Sequence, residues 1–595
     1  MDGRKKTKIV ATLGPSTSSD EMVAKLIEAG VDVFRLNFSH GSHETHRENI
    51  ERVRRISKQI GRPIALLQDI QGPKIRVGEI NGGQATLVPG QTFMLTTTPL
   101  EGNEQMASVS YPRLTEDVRE GMKILLDDGL LELVVVEVKP EMLVTRVVVG
   151  GALKPRKGVN FPGSMLKISI ITDKDKADLK FGAEMGIDLV AASFVQQASD
   201  VLEVKDFLAQ LGKKTPIIAK IERREAVQNL REIIQVADGA MVARGDLGVE
   251  IPVEDVPIVQ KQIIRGCNLE GKPVITATQM LDSMIRAPRP TRAEASDVAN
   301  AILDGTDAIM LSNETAAGAY PLESVETMTR IAMQVERSMM PKVRPELEEG
   351  YIRPVQDSVA HAATRMVQEL GASAIVTATY SGSSARMVAK YRPSCSVIAA
   401  TPFEDVCRQM NLIWGVYPIK IVETDTVDEL FQQAVAEATS AGLVEDGDQV
   451  IMVAGIPMGV PGTTNMVTVE MVSSIIARGM GLGQRPVCGV ARVIFDPTLA
   501  LESVNVGDVL VTENTDAAWN PAIEKASAIV VRSGGLTSHA AIVGLELNKP
   551  VILGVEDFDK IRDGSTITVD PLRGLIFSGA AKIGCEPGPM PWDRS

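Results

Sequence analysis

Cysteine is scarce and unpaired in this 595-residue sequence: Cys267, Cys395, Cys407, Cys488 and Cys585 stand far apart, with no CxxC among them. That argues against a disulfide frame or a zinc site and fits a reducing compartment. No stretch reaches about 18 uninterrupted apolar residues, and the basic amino end MDGRKKTKIVATLGP has no apolar signal core. A secreted or membrane-spanning chain is therefore not expected; a cytoplasmic one is. Positive charge is in deficit, 62 Lys and Arg against 76 Asp and Glu for a net charge of −14, which argues against general nucleic-acid binding. There is no Walker A sequence, no GxGxxG opening a helix, no metal cluster among the five histidines and no Ser-His-Asp arrangement. Any anionic substrate must be drawn by locally placed cations or a bound metal. What remains is an ordinary soluble composition, 44% hydrophobic and 23% charged, with length for about four domains.

Nearly continuous apolar runs recur through the first half: TKIVATL (7–13), VFRLNF (33–38), IALLQDI (64–70), IDLVAASF (187–194), PIIAKIE (216–222), GAMVARGD (239–246), PVITATQ (273–279) and AIMLSNE (308–314). Such runs fit parallel strands buried on both faces. Helix-period segments such as DEMVAKLIEAG, ASDVLEVKDFLAQLG and TRAEASDVANAILDG lie between them. Eight strand–helix units predict an α/β fold, a (β/α)8 TIM barrel.

The stretch between Ile70 and Ile187 is far longer than the other gaps and reads differently. ATLVPGQTFMLTTT and KILLDDGLLELVVVEVKPEMLVTRVVVGG, with the turn signals NGG, VPG and DDG, predict a small all-β domain inserted after strand three. The barrel is expected over 1–71 and 156–340, the insert over 72–155. PKVRPELEEGYIRP reads as a linker into a further α/β domain over 341–477. RGMGLGQRP (478–486) reads as a second linker, and 485–595 as an extra C-terminal α/β module.

In such a barrel the chemistry sits at the C-terminal ends of the strands. Arg35, Asn37 and Ser39 alternate out of strand two, Asp69 ends strand three, and Lys220 and Glu222 end strand five. Asp246 is expected to end strand six, Thr278 strand seven, and Ser312 and Glu314 strand eight. Each alone reads as a solvated terminus or an ion pair; six strands ending this way point to a site. Period-two spacing sets Lys220 and Glu222 side by side. Glu222 and Asp246 are hard oxygen donors suited to Mg²⁺ or Mn²⁺, with room left for water and a substrate phosphate. A lysine beside that metal, with an arginine across the barrel, suits a phosphoryl group in transfer, which needs positioning and neutralisation more than covalent help. The GDLG turn offers backbone N–H groups to a carboxylate, although alone it is an ordinary turn.

IVATLGPST, FRLNFSHG, LLQDIQGPKIR, IIAKIE, MVARGDLGVEIP, TATQMLDSM and IMLSNETAAGAYP together resemble pyruvate kinases and span the whole barrel. The resemblance implies transfer of phosphate from phosphoenolpyruvate to ADP, the last step of glycolysis, by a cytoplasmic, allosteric homotetramer. By that resemblance, Lys220 and Arg35 contact the transferring phosphoryl group and Glu222 and Asp246 hold the divalent metal. The backbone of Ala243, Arg244, Gly245 and Asp246 cradles the substrate carboxylate, and Thr278 lies near the enolate carbon, with Ser312 and Glu314 alongside. Asn37, His40, Arg76 and Lys157 match nucleotide contacts. The last two flank the insert, which resembles a lid closing over the nucleotide. Members that need K⁺ hold it with residues matching Asn37, Ser39, Asp69 and the Ile70 carbonyl, and carry an acidic residue where this chain has Lys74. A lysine there implies weak or absent K⁺ activation, unless it merely sits in solvent at the lid hinge.

TATYSGSSARMVAKYRP (377–393) sets Thr379, Ser381, Gly382, Ser383 and Ser384 before a basic helix, as an ordinary capping loop or a phosphate cradle. The matching loop in pyruvate kinases binds the phosphate of an effector. GIPMGVPGTTN (455–465) lacks basic residues for a second phosphate, which favours a hexose or pentose monophosphate, or AMP. RSGGLTSHAAIVGLELNKPVILGVE (532–556) resembles the mobile phosphohistidine domain of phosphoenolpyruvate-using enzymes, a swivelling module, with His539 at the phosphorylated position. A phosphocarrier role competes there with a structural or interface role, which is favoured because no ATP-grasp partner domain is evident. Retention of Lys220, Glu222 and Asp246 speaks against an idle metabolite sensor.

Overall fold

The structure, a computed structural model, describes residues 4–338 except 165 and 167, and 353–580 except 425, 458–461 and 473–474. Most of the expected linker at 341–354, part of the 455–465 loop, and Cys585 lie outside the described residues. Eight parallel strands close a barrel: Lys8–Thr12, Val33–Asn37, Ala65–Asp69, Leu189–Ala192, Ile217–Ile221, Gly239–Ala243, Val274–Ala277 and Ala308–Leu311. The last pairs back onto the first from Lys8↔Ala308 to Ala11↔Leu311.

Strand parity explains what the barrel holds. Val10, Val33, Leu67, Ala191, Ile218, Met241, Ile275 and Met310 pack in its interior. Their chain neighbours Ile9, Phe34, Leu66, Val190, Ala219, Val242 and Ile309 face the surrounding helices. Six of these eight inward rows, continued toward the C-terminal end, give Thr12, Arg35, Asn37, Asp69, Ser193, Lys220, Glu222 and Ser312, whereas those of Met241 and Ile275 run into Ala243 and Ala277. The same alternation that makes the interior apolar therefore delivers a ring of polar groups to one rim.

Between strands three and four lie a six-stranded sheet and the two-stranded ribbon Ala85–Leu87 with Gly151–Leu153. Phe93, Leu133, Leu153 and Phe161 belong to their shared core, separate from the barrel's. Val159–Asn160 is the sheet's outermost strand, antiparallel to Lys123–Leu126.

The described chain divides into two compact units, the first holding the barrel and insert with 389–392 and 403–418, the second most of the remainder. After the barrel a five-stranded sheet runs in the order Val416–Lys420, Ser396–Thr401, Ala374–Ala378, Gln449–Gly455 and Thr464–Met471. A closed seven-stranded barrel with flanking helices follows. One expectation is corrected here. Residues 475–482, read as the end of the α/β domain and the start of a linker, form the strand Ile475–Leu482, antiparallel to Val551–Glu556 and Leu575–Ser578. No helix among the described residues is long and apolar enough to cross a membrane.

Candidate active site

Four charges interlock at the barrel mouth. The Lys220 ammonium lies 2.7 Å from Glu222 Oε1 and 3.2 Å from Asp69 Oδ1, and donates to Ser193 Oγ at 2.8 Å. Arg35 Nε donates to Asp69 Oδ2 at 2.7 Å, and its Nη1 donates to Thr12 Oγ1 at 3.1 Å. Glu222 is 2% exposed, and its Oε2 accepts the Phe194 N–H at 2.9 Å. Burial would pull Lys220 down, but Asp69 and Glu222 outweigh it and hold the ammonium well above its ordinary range. Burial would likewise raise Asp69, yet Lys220 and Arg35 keep it below the usual carboxylate value. Glu222 is lifted by burial against the pull of Lys220, and Asp246 adds to the lift. That mutual repulsion is what a divalent cation relieves, so the donor pair fits Mg²⁺. No group of three or more candidate ligand side chains occurs among the described residues.

Asp246 is not on a strand. Strand six ends at Ala243, and the helix Arg244–Glu250 begins at once, with Asp246 exposed in its first turn. The Arg244 guanidinium turns away to Asp297, at 2.7 Å, and to the carbonyls of Ala277 and Thr278. Thr278 sits one residue past strand seven at φ +70°; its Oγ1 accepts the Gly245 N–H at 2.8 Å and donates to the Ala277 carbonyl at 2.6 Å. Glu314 is buried and accepts from the Ser312 and Leu281 N–H groups, orienting the turn after strand eight.

Other candidates stand apart from this knot. Asn37 is half-buried and accepts the Ser39 N–H, while Ser39 and His40 are exposed. Arg76 Nη1 donates to the Arg156 carbonyl, and Lys157 pairs with Asp127 at 2.8 Å, both at the foot of the insert. Lys74 is exposed; its Cε lies 3.6 Å from where a Cβ on Gly158 would stand, alongside the insert's returning strand. The Ile70 carbonyl already accepts Ser193 Oγ at 2.7 Å. Thr12, Ser193 and the Phe194 N–H belong to the site but were not among the expected residues. Following each inward row to the rim finds the first two.

A family model described as pyruvate kinase, barrel domain, matches residues 4–325, and one described as pyruvate kinase, alpha/beta domain, matches 357–470. This chain belongs to the pyruvate kinase family. A third model, PEP-utilising enzyme, mobile domain, matches 504–574. The pyruvate kinase of Geobacillus stearothermophilus is 49% identical over 589 residues, covering 98% of this chain and 100% of that protein. Pyruvate kinase 2 of Synechocystis is 47% identical over 581 residues, covering 97% and 98%. A solved pyruvate kinase from Cryptosporidium parvum matches with a TM-score of 0.73 at 36% identity, covering 79% of this chain and 97% of that one.

Two further candidate sites lie in the second unit. A pocket is lined by Thr379, Ser381, Ser383, Ser384, Gly462 and Thr464, among others. Gly382 has φ +78°, which brings the loop's backbone round, and the buried Thr379 Oγ1 has no hydrogen-bond partner among the described residues. Ser384 Oγ shares a hydrogen bond with Thr464 Oγ1 at 2.7 Å. His539 opens the helix His539–Glu546, half-buried, with Nδ1 3.1 Å from Thr515 Oγ1.

Proposed function

We propose that the barrel mouth transfers the phosphoryl group of phosphoenolpyruvate to ADP, giving pyruvate and ATP. The observation that carries this reading is the Lys220 ammonium held between Asp69 and Glu222, with Arg35 on the far side of Asp69. Phosphoryl transfer spreads negative charge over the moving group's oxygens, and fixed cations in a half-buried site stabilise it without reorganising. Lys220 and Arg35 do this from two sides. The P–O bond to the enol oxygen breaks as a P–O bond to the terminal phosphate of ADP forms, leaving the enolate of pyruvate. Thr278, whose hydroxyl bridges Gly245 and Ala277, orients the water that delivers a proton to the terminal carbon. The backbone of Ala243, Arg244, Gly245 and Asp246 cradles the substrate carboxylate, and Ser312 and Glu314 shape its far wall. Glu222 and Asp246 hold Mg²⁺ or Mn²⁺, which supplies charge neutralisation to the phosphoryl oxygens when bound.

Asn37, His40, Arg76 and Lys157 contact the nucleotide, the last two as the insert closes and excludes water. In this reading 1–71 with the residues from 161 to 340 is catalytic, 72–160 the lid, since the strand Val159–Asn160 belongs to the insert's sheet and carries the expected boundary at 155 five residues further, 341 to the start of the terminal barrel regulatory, and the barrel that follows an added module. The enzyme is a cytoplasmic homotetramer. Asn37, Ser39, Asp69 and the Ile70 carbonyl form a monovalent-cation site whose charge Lys74 supplies in place of K⁺. Thr379, Ser381, Gly382, Ser383 and Ser384 bind the phosphate of a sugar monophosphate or AMP, the unpartnered Thr379 hydroxyl supporting this. His539 acts structurally, fixing its helix start to Thr515. A coupled assay of pyruvate formation with ADP and Mg²⁺, with and without individual sugar monophosphates and AMP, tests the reading. ADP-dependent turnover raised by one of these monophosphates is expected; no ADP-dependent pyruvate would overturn it.

A further inference from the structure

A second charged cluster lies beneath the metal carboxylates, and the reaction as derived makes no use of it. Arg223, Glu225 and Glu250 are each 4–5% exposed. Among the described residues, Arg223 Nε and Nη1, Glu225 Oε2 and Glu250 Oε2 are buried without hydrogen-bond partners. Arg223 Nη1 stands 3.6 Å from Glu250 Oε1, an ion pair too long to be a hydrogen bond. The same Glu250 oxygen accepts Asn160 Nδ2 at 2.9 Å. Asn160 ends the last strand of the insert, whereas Glu250 ends the helix that carries Asp246. This hydrogen bond therefore ties lid to catalytic helix.

The other side of the cluster leads back to the metal seat. Arg223 follows Glu222 in the chain, and its guanidinium lies 5.4 Å from the centre of the Phe194 ring. The Phe194 N–H holds Glu222 Oε2. Phe194 has φ +59°, a left-handed conformation that a bulky residue adopts only where its surroundings impose it. One source of that imposition is the entrance to the insert: a Cβ on Gly72 would lie 2.9 Å from Phe194 Cδ2. The ring thus packs against one hinge of the insert and the guanidinium, while Asn160 reaches Glu250 from the other end of the insert. Buried charges with unpaired atoms leave room for a second arrangement, which close-packed neighbours convert into discrete states.

We infer that Asn160, Glu250, Arg223 and Phe194 form a positioning relay that transmits lid position to the Glu222 carboxylate. The inference rests on the proposed reading of Glu222 as a metal ligand and of the insert as a lid. These residues touch neither substrate nor metal; they set the pose of one that does. Closing the lid moves Asn160, shifts Glu250 relative to Arg223, and tightens or releases Phe194 and the N–H it gives to Glu222.

Asn160→Ala and Arg223→Met, singly and together, test the relay. Asn160 is half-exposed, so its variant is expected to fold even where Arg223→Met does not. Each single variant is expected to lower kcat about tenfold while KM for phosphoenolpyruvate stays within about twofold, and the double variant to be no worse than the poorer single. Hydrogen–deuterium exchange on the metal-free protein gives a readout independent of turnover. The Phe194 amide is expected to exchange about threefold faster or more in Asn160→Ala, with peptides of the terminal barrel unchanged. Unchanged exchange at Phe194, or losses in kcat that multiply in the double variant, would overturn the relay. A parent protein without ADP-dependent turnover would instead sink the underlying reading, a result separable from relay failure because the parent is assayed first.

Discussion

Replacing Lys220 by methionine removes one charge from a buried set of two cations and two carboxylates, at closely similar side-chain length. Arg35, Asp69, Lys220 and Glu222 sum to zero; without the ammonium the set is left one negative charge in excess. Loss of a cation aimed at a transferring phosphoryl group costs about 10³- to 10⁵-fold in rate. That corresponds to about 4–7 kcal/mol of transition-state stabilisation. Removing one partner of a buried ion pair costs folding stability as well, about 3–5 kcal/mol, because Asp69 and Glu222 stay buried with less compensation. Metal binding should respond in the opposite sense. The ammonium occupies Glu222 Oε1 at 2.7 Å and competes with any cation for it, so Mn²⁺ should bind the variant at least as tightly as the parent. Metal at about 100 times its dissociation constant should then return about 2.7 kcal/mol of the lost stability. Coupled pyruvate formation, Mn²⁺ titration by electron paramagnetic resonance, and urea unfolding with and without Mg²⁺ measure the three quantities. The reasoning fails if kcat stays within tenfold of the parent, or if Mn²⁺ binding disappears along with activity.

The parent should turn over equally in K⁺ and in a bulky organic cation at constant ionic strength, whereas Lys74→Glu should lose rate in the organic cation and regain it in K⁺. Strong K⁺ dependence of the parent would refute the substitution of ammonium for ion. Acid should weaken the barrel through Asp32. Burial alone would raise this carboxyl, but Lys5, Lys8 and Arg62 pull it down to about 2 from an ordinary 3.8. A depressed folded value stabilises fully above the unfolded one and is lost as pH falls toward about 2, here about 2 kcal/mol between pH 4 and 2. Urea midpoints for Asp32→Asn should accordingly fall less steeply over that window; parallel curves would contradict the assignment. Phosphoenolpyruvate carrying ³²P should leave no acid-labile label on the chain. Label that disappears in His539→Ala would replace the structural role with phosphocarrying.

The charged knot at the barrel mouth was legible because strand parity is written in the sequence. Ile218, Lys220 and Glu222 share a face whatever the rest of the chain does, and the same holds for Val33, Arg35 and Asn37. Thr12 and Ser193 were equally legible and went unread because their strands end in small, uncharged groups. Asp246 could be picked by residue type but not by position, since nothing in ARGDLGVE distinguishes a turn from the short helix that forms. Phe194 carried no signal at all: a phenylalanine at positive φ is held there by packing from distant segments, which no local propensity records. The RGMGLG stretch misled for a physical reason. Its glycines suggested flexibility, but a Cβ on Gly479 would lie 2.6 Å from the Leu553 carbonyl oxygen, and one on Gly481 2.0 Å from that of Pro571. They are there because two backbones approach too closely for any side chain.

Charge at the mouth explains why this family's reaction needs so many cations in one place. Arg35 and Lys220 face Asp69, Glu222 and Asp246, so the site before substrate arrives is negative, within a chain whose net charge is −14. A phosphoryl group with its neighbouring carboxylate would be repelled by such a site, and the two fixed cations are already engaged by carboxylates. Glu222 and Asp246 would hold a divalent ion, whose charge would offset both carboxylates and weaken the hold of Glu222 on the Lys220 ammonium. The 2.7 Å Lys220–Glu222 contact would then be the arrangement that metal and substrate together displace. Asp69 and Glu222 thereby keep Lys220 charged and in place at the barrel mouth.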